Sequence, residues 1–187
     1  MFVIEFNGCM LYSYNGGEYM PGIGNDGLGK KAEEKIEQWL DKPENGYSFD
    51  RFYDQMTGYF MTSRNTCDFV CYKYPYLYYI ESKATYEDRF NFSMLTETQH
   101  DGLLQKSTIP GVYGLVIILF ATYQKAFIVD IRDIKDLEDG GKKSLNIKKI
   151  DKWNIPYAEI PTIPSRKSLL DYDGDVQSLV ETMEAGR

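Results

Sequence analysis

Residues 114–121 read Gly-Leu-Val-Ile-Ile-Leu-Phe-Ala, a run without one polar side chain. It is far shorter than the ~20 residues that cross a bilayer, so it is no membrane span. Its length suits a strand buried on both faces, which requires a sheet covered on both sides. The flanking sequence agrees. Tyr123-Gln124 makes a turn, Lys125 to Ile131 reads as the next strand, and Ile131 to Leu137 as a short helix ended by Gly140-Gly141. Upstream, residues 67–83 are rich in Tyr, Val, Ile and Phe and are broken by Tyr74-Pro75-Tyr76, the pattern of a hairpin. Ala32, Ile36, Trp39 and Leu40 recur at helical spacing within Gly29 to Leu40, and Leu95 to Gln105 forms a second helix. The order α-β-β-α-β-β predicts an α/β chain whose mixed central β-sheet is flanked by helices.

The 187 residues suit one domain with appendages. A glycine-rich leader (1–28) without Lys or Arg, a core (29–160) and an acidic C-terminal tail (161–187) divide the chain. Residues 42–66, polar and aromatic with no period, read as a loop holding one short strand. Gly22-x-Gly24-x-x-Gly27 matches a dinucleotide fingerprint, but no β-rich run leads into it, so no nucleotide cofactor is expected. Asp171-Tyr172-Asp173-Gly174-Asp175 has its glycine at the wrong place for a calcium loop and reads as a flexible acidic tail.

Composition then limits the chemistry. Three cysteines (Cys9, Cys67, Cys71) make no disulfide framework, and the single histidine, His100, rules out a multi-histidine metal site within one chain. Cys67 and Cys71 read as buried small side chains, and His100 as a helix-surface bystander. What remains for catalysis is carboxylates, lysines and a borrowed metal. The net charge of -7 argues at first against a nucleic-acid partner. It is unevenly placed, however. Residues 1–28 carry -3 and residues 168–187 carry -4, so residues 29–167 are neutral. The N-terminus has no basic stretch of the kind a signal peptide carries, and a cytoplasmic protein is expected.

One constellation suggests a reaction. A turn centred near residues 74–75 places Asp68 opposite or nearly opposite Glu81, opposed residues having Cβ atoms about 4.5–5.5 Å apart, and Glu81 shares a face with Lys83. Two such carboxylates repel unless a cation joins them, and oxygen ligands suit Mg²⁺ or Mn²⁺. The Ser82 carbonyl between them is a further ligand candidate, and Lys83 can stabilise charge developing on a phosphoryl group. The plain alternative is a solvated strand face carrying a weak Glu-x-Lys pair. Tyr72, Tyr74, Tyr76, Tyr78 and Tyr79 suit base stacking and β-propensity equally. Lys142, Lys143, Lys148, Lys149 and Lys152 form either a phosphate-binding surface or a solvated face.

Asp68-x12-Glu81-x-Lys83 resembles the signature of the PD-(D/E)xK nuclease superfamily. The segments Ser63-Arg64-Asn65-Thr66-Cys67-Asp68-Phe69 and Tyr78-Tyr79-Ile80-Glu81-Ser82-Lys83 resemble the RecU-type Holliday junction resolvases, above all their phage-borne relatives. The likeness runs from about Gly29 to Ile160. It implies a restriction-endonuclease-like core and a Mg²⁺- or Mn²⁺-dependent endonuclease acting on branched DNA as a homodimer, in a host cytoplasm if phage-encoded. It further implies Asp68 and Glu81 as metal ligands and Lys83 as the catalytic lysine. Glu33, with Glu34 the competing assignment, would support the metal from the first helix, and Gln99 would join the site from the next. Arg64, Lys30, Lys31, Lys142 and Lys143 would contact DNA. Two features depart from the family pattern: the leader is not basic, and residues 42–66 hold only Lys42, Arg51 and Arg64 as cations. Flaps, forks and linear duplexes therefore stand as alternative substrates, and a catalytically silent DNA-binding module as an alternative role.

Overall fold

The computed structural model describes residues 3–6, 9–12, 25–53, 56–57, 60–61, 65–163 and 171–186. In chain order the elements are β1 (Val3–Phe6), β2 (Cys9–Tyr12), α1 (Asn25–Leu40), β3 (Ser48–Arg51), β4 (Met56–Thr57), β5 (Phe60–Met61), β6 (Phe69–Lys73), β7 (Tyr76–Thr85) and β8 (Arg89–Asn91). They continue with α2 (Glu97–Lys106), β9 (Val112–Phe120), β10 (Lys125–Asp130), α3 (Ile131–Asp139), β11 (Ser144–Asn146), β12 (Ala158–Ile160), β13 (Thr162–Ile163), β14 (Asp171–Tyr172) and α4 (Val176–Glu184). Six strands form the central sheet in the order β12-β10-β9-β7-β6-β3. The β7–β9 pair is parallel and the other neighbours are antiparallel, which makes the sheet mixed.

β9 is buried on both faces, as its apolar run requires. Leu115, Ile117 and Leu119 face a layer that includes Ala32, Ile36 and Trp39 of α1 with Val176, Val180 and Met183 of α4. Val116, Ile118 and Phe120 face the opposite layer, with Leu103 of α2, Ile131 and Ile134 of α3, and Trp153. The period of two along the strand thus serves two cores at once. Close approach fixes α2 against the sheet. A Cβ on Gly114 would lie 2.6 Å from Ser107 Oγ and 2.8 Å from the Leu103 carbonyl, so only glycine fits where the end of α2 meets β9.

The structure differs from the sequence expectation in three places. α1 starts at Asn25 rather than Gly29, because Leu28 is buried and extends the Ala32–Ile36 stripe by one turn. Residues 42–66 contain three short strands rather than one, and the first of them, β3, joins the central sheet through β6. The third difference is the largest: residues 171–186 are not a flexible tail. Asp175 caps α4 by accepting the Ser178 N–H, and Val176, Val180 and Met183 bury one apolar face of that helix. Polar bonds tie the same segment to α1 and its end. Trp39 Nε1 donates to the Gly174 carbonyl, Lys42 Nζ to the Tyr172 carbonyl, and Lys35 pairs with Asp171. The acids of this segment lie on its solvent side and mask its apolar positions from a composition argument.

No described helix is long and apolar enough to cross a membrane. If α4 belongs to the core, Met183→Ala should destabilise the protein by about 2–5 kcal/mol, the usual cost of emptying a buried methionine site. Urea unfolding measures this, and a loose tail would give no change.

Candidate active site

The β6–β7 hairpin sets the geometry. Its register ends at the pair Phe69–Ile80, and Asp68 follows just beyond the end of β6, where its charge is felt by Glu81. The Asp68 N–H donates to the Ile80 carbonyl at 3.1 Å. Past that point the β6 ladder stops, and the Asp68 side chain replaces it: Oδ2 accepts the Ser82 N–H at 2.8 Å. Alternation along β7 turns the Ser82 carbonyl to the same side as that of Ile80, towards a stretch of edge that β6 does not cover.

Glu81 is 1% exposed, yet only half of its carboxylate is engaged. Oε1 accepts Lys83 Nζ at 2.5 Å and Gln99 Nε2 at 2.6 Å. Oε2 is buried and has no hydrogen-bond partner among the described residues. Burial first, and then the charge of Asp68, push the Glu81 carboxyl up to about 8 against the pull of Lys83, and Glu33 adds a smaller push in the same direction. An orphaned carboxylate oxygen, an adjacent second carboxylate and an uncovered carbonyl fit a small divalent cation that keeps several waters and takes one or two carboxylates. No group of three or more His, Cys, Asp and Glu side chains forms a ready-made metal cage among the described residues.

Gln99 is held by its own helix. The Thr96 N–H donates to Gln99 Oε1 at 3.0 Å, and the Gln99 N–H donates back to Thr96 Oγ1, a reciprocal cap at the start of α2. Oε1 also accepts Lys83 Nζ at 3.2 Å. With its oxygen fixed as an acceptor, the amide must present its NH₂ to Glu81.

Glu33 lies on α1, in the layer on the other side of the sheet from α2. Its Oε2 accepts Arg51 Nη2 at 2.7 Å, and its charge reaches Glu81. Glu34 is exposed. Lys30 is exposed and Lys31 half-buried. Lys143 is exposed, whereas Lys142 Nζ donates to the carbonyls of Lys152 and Trp153 and so braces its own loop. Arg64 lies outside the described residues. His100 pairs with Asp101 on its own helix and with Glu138 of α3, joining the two helices outside the Glu81 cluster. Cys67 and Cys71 are free and buried, and burial pushes both thiols up to about 12, so neither is poised as a thiolate. Among the tyrosines, Tyr78 is fully buried and stacks on Tyr113, while Tyr74 at the hairpin tip is 80% exposed.

Residues 47–169 match the family model for Recombination protein U, RecU, the Holliday junction resolvase family. The chain belongs to the RecU family. The matched segment holds Asp68, Glu81, Ser82, Lys83 and Gln99, while α1 with Glu33 and α4 lie outside it. No curated protein matches the chain. Among solved structures it is similar to Archaeoglobus fulgidus Hjc, a Holliday junction resolvase from an archaeal hyperthermophile, with 16% identity and a TM-score of 0.41. That similarity covers 56% of this chain and 78% of the archaeal one. RecU membership implies a nuclease, and the chain carries it on a mixed α/β fold with a six-stranded central sheet.

Sequence reasoning missed Arg51. It counted this residue only as one of three cations in a loop, and no local pattern marks an arginine on a short edge strand as the partner of a distant helix.

The raised Glu81 carboxyl has a measurable consequence. Its folded value of about 8 lies above the ordinary carboxyl value of 4.5, so between those values the folded state holds a proton that the unfolded chain has lost. The stability this proton contributes is complete below about pH 4.5 and is lost as pH rises through about 8. Thermal melts without metal should therefore show wild-type stability falling across that window relative to Glu81→Gln. Parallel curves would mean that Glu81 does not titrate there.

Proposed function

We propose that this chain is a Mg²⁺- or Mn²⁺-dependent endonuclease that hydrolyses phosphodiester bonds in branched recombination intermediates, working as a two-fold homodimer. The observation that carries the reading is Glu81 Oε2, buried without a partner among the described residues and beside the charge of Asp68. Leaving such an oxygen unpaired is costly, and a cation shared with Asp68 removes the cost. Asp68, Glu81 and the Ser82 carbonyl would hold the ion, with Glu33 supporting it at one remove. A divalent ion there supplies a Lewis acid that polarises a phosphoryl oxygen and lowers the pKa of water.

The chain's own groups do the rest. Lys83 is fixed between Glu81 and Gln99 yet 17% exposed, so its ammonium can meet a phosphate arriving from solvent. It orients the attacking water or offsets negative charge growing on the phosphoryl oxygens. Gln99 keeps both Glu81 and Lys83 in place. Lys30, Lys31 and Lys143, together with Arg64, supply phosphate contacts that draw DNA to a core of zero net charge. Two copies related by a two-fold axis would present two such sites to strands of like polarity, which suits symmetric incision of a junction.

Lys83→Ala and Asp68→Ala should each lower cleavage of a four-way junction by about 100-fold or more while junction binding persists, and chelation of divalent metal should abolish cleavage by the wild type. Unimpaired cleavage by either variant defeats the site assignment. In the same assay a four-way junction should be cut faster than a flap, a fork or a linear duplex. Equal rates would move the substrate to those alternatives, and binding without cleavage in Mg²⁺ or Mn²⁺ would mark a silent module.

A further inference from the structure

Arg51 ends β3 and lies opposite Phe69 in the β3–β6 register, one residue from Asp68. Its side chain is 8% exposed. The guanidinium reaches across to α1, where Nη2 bonds Glu33 Oε2 at 2.7 Å and Nη1 bonds Glu37 Oε2. Glu33 and Glu37 are four residues apart and so lie on one helix face. The plane is also gripped by rings, with Cζ 4.7 Å from the Tyr53 centroid and 5.6 Å from that of Phe69. Its remaining nitrogen, Nε, is buried without a partner among the described residues, so the two carboxylates take all its described hydrogen bonds.

This is a poor arrangement for a DNA contact. An arginine that reads phosphate keeps its fork open to solvent, and this one is closed on both prongs. It is a good arrangement for fixing Glu33. That carboxylate is 31% exposed and, among the described residues, is bonded through Oε2, so one oxygen is anchored while the group still reaches solvent. The same pair offsets a charge that would otherwise add to those of Asp68 and Glu81.

We propose that Arg51 is a positioning residue for the metal centre: it locks Glu33 at the orientation from which a water-mediated contact to the ion is made, and links that orientation to the strand carrying Asp68. The inference rests on the metal-dependent reading above. Lysine cannot reproduce the role fully, because a single ammonium lacks the planar fork that spans Glu33 and Glu37.

The test is Mn²⁺ binding to the full-length protein, followed by electron paramagnetic resonance without DNA, alongside junction cleavage. Arg51→Met should raise the Mn²⁺ dissociation constant about tenfold and lower kcat, with KM for the junction nearly unchanged. Arg51→Lys should fall between Arg51→Met and wild type. In a Glu33→Gln background, Arg51→Met should change Mn²⁺ affinity no further. An equal loss in that background would overturn the proposal, because Arg51 would then act by another route. So would a rise in KM with Mn²⁺ affinity intact, which would make Arg51 a DNA contact. If Arg51→Met does not fold, Arg51→Lys with and without Glu33→Gln gives the same comparison. Unchanged Mn²⁺ affinity for Arg51→Lys in a protein whose Lys83→Ala variant is inactive sinks this inference alone. An active Lys83→Ala variant sinks the reading beneath it.

Discussion

Asp68 accepts the Ser82 N–H with a side-chain oxygen at the point where β6 has run out. Had the strand continued, a backbone carbonyl would take that position, and the carboxylate would have no reason to sit against β7. Because the ladder ends there, one side chain both completes the hydrogen bonding of the sheet edge and delivers a negative charge beside Glu81. The parallel partner β9 holds the other edge of β7 rigid through the same stretch, pairing Glu81 with Val116 and Lys83 with Ile118. Glu81 and Lys83 are thus attached to backbone that β9 fixes on one edge and that the Asp68 side chain holds at Ser82 on the other, the support that a precisely positioned site requires.

The second constraint is electrostatic. Asp68 and Glu33 both act electrostatically on Glu81, and the protein manages the three acids with three different devices. Lys83 and Gln99 hold one oxygen of Glu81, a backbone amide holds Asp68, and Arg51 holds Glu33. None of these satisfies Glu81 Oε2. The cluster is therefore nearly balanced but keeps one strong acceptor in reserve, in a buried place where an unmet charge is expensive. A fully satisfied site would be more stable without metal and would have less to offer an incoming cation.

How much of this the sequence disclosed depends on the range of the interactions involved. The hairpin register was legible because Pro75 marks the turn and the pairing is local, so counting outward from it reaches Asp68 and Glu81 together. β9 was legible because a double-sided strand needs no partner identity to look apolar. Gln99 came only through family resemblance, since its value lies in a cap on Thr96 that frees one end of the amide for the site. Two things stayed hidden for a shared reason. The apolar positions of α4 are interleaved with acids, and Arg51 pairs with a helix that precedes it by a loop, so each depends on a partner that neither composition nor periodicity identifies.

The bonds between α1 and residues 171–175 also bear on how the protein comes into being. The first long helix and the last one share a single layer, with Trp39, Tyr172, Val180 and Met183 in one cluster. A ribosome releases the chain from its N-terminus, so α1 waits through more than a hundred residues of synthesis before the segment that shares its core layer arrives. Until then Trp39 lacks its edge contact with Tyr172. The layer shared by α1 and α4 therefore closes only after residues 171–186 have been synthesised.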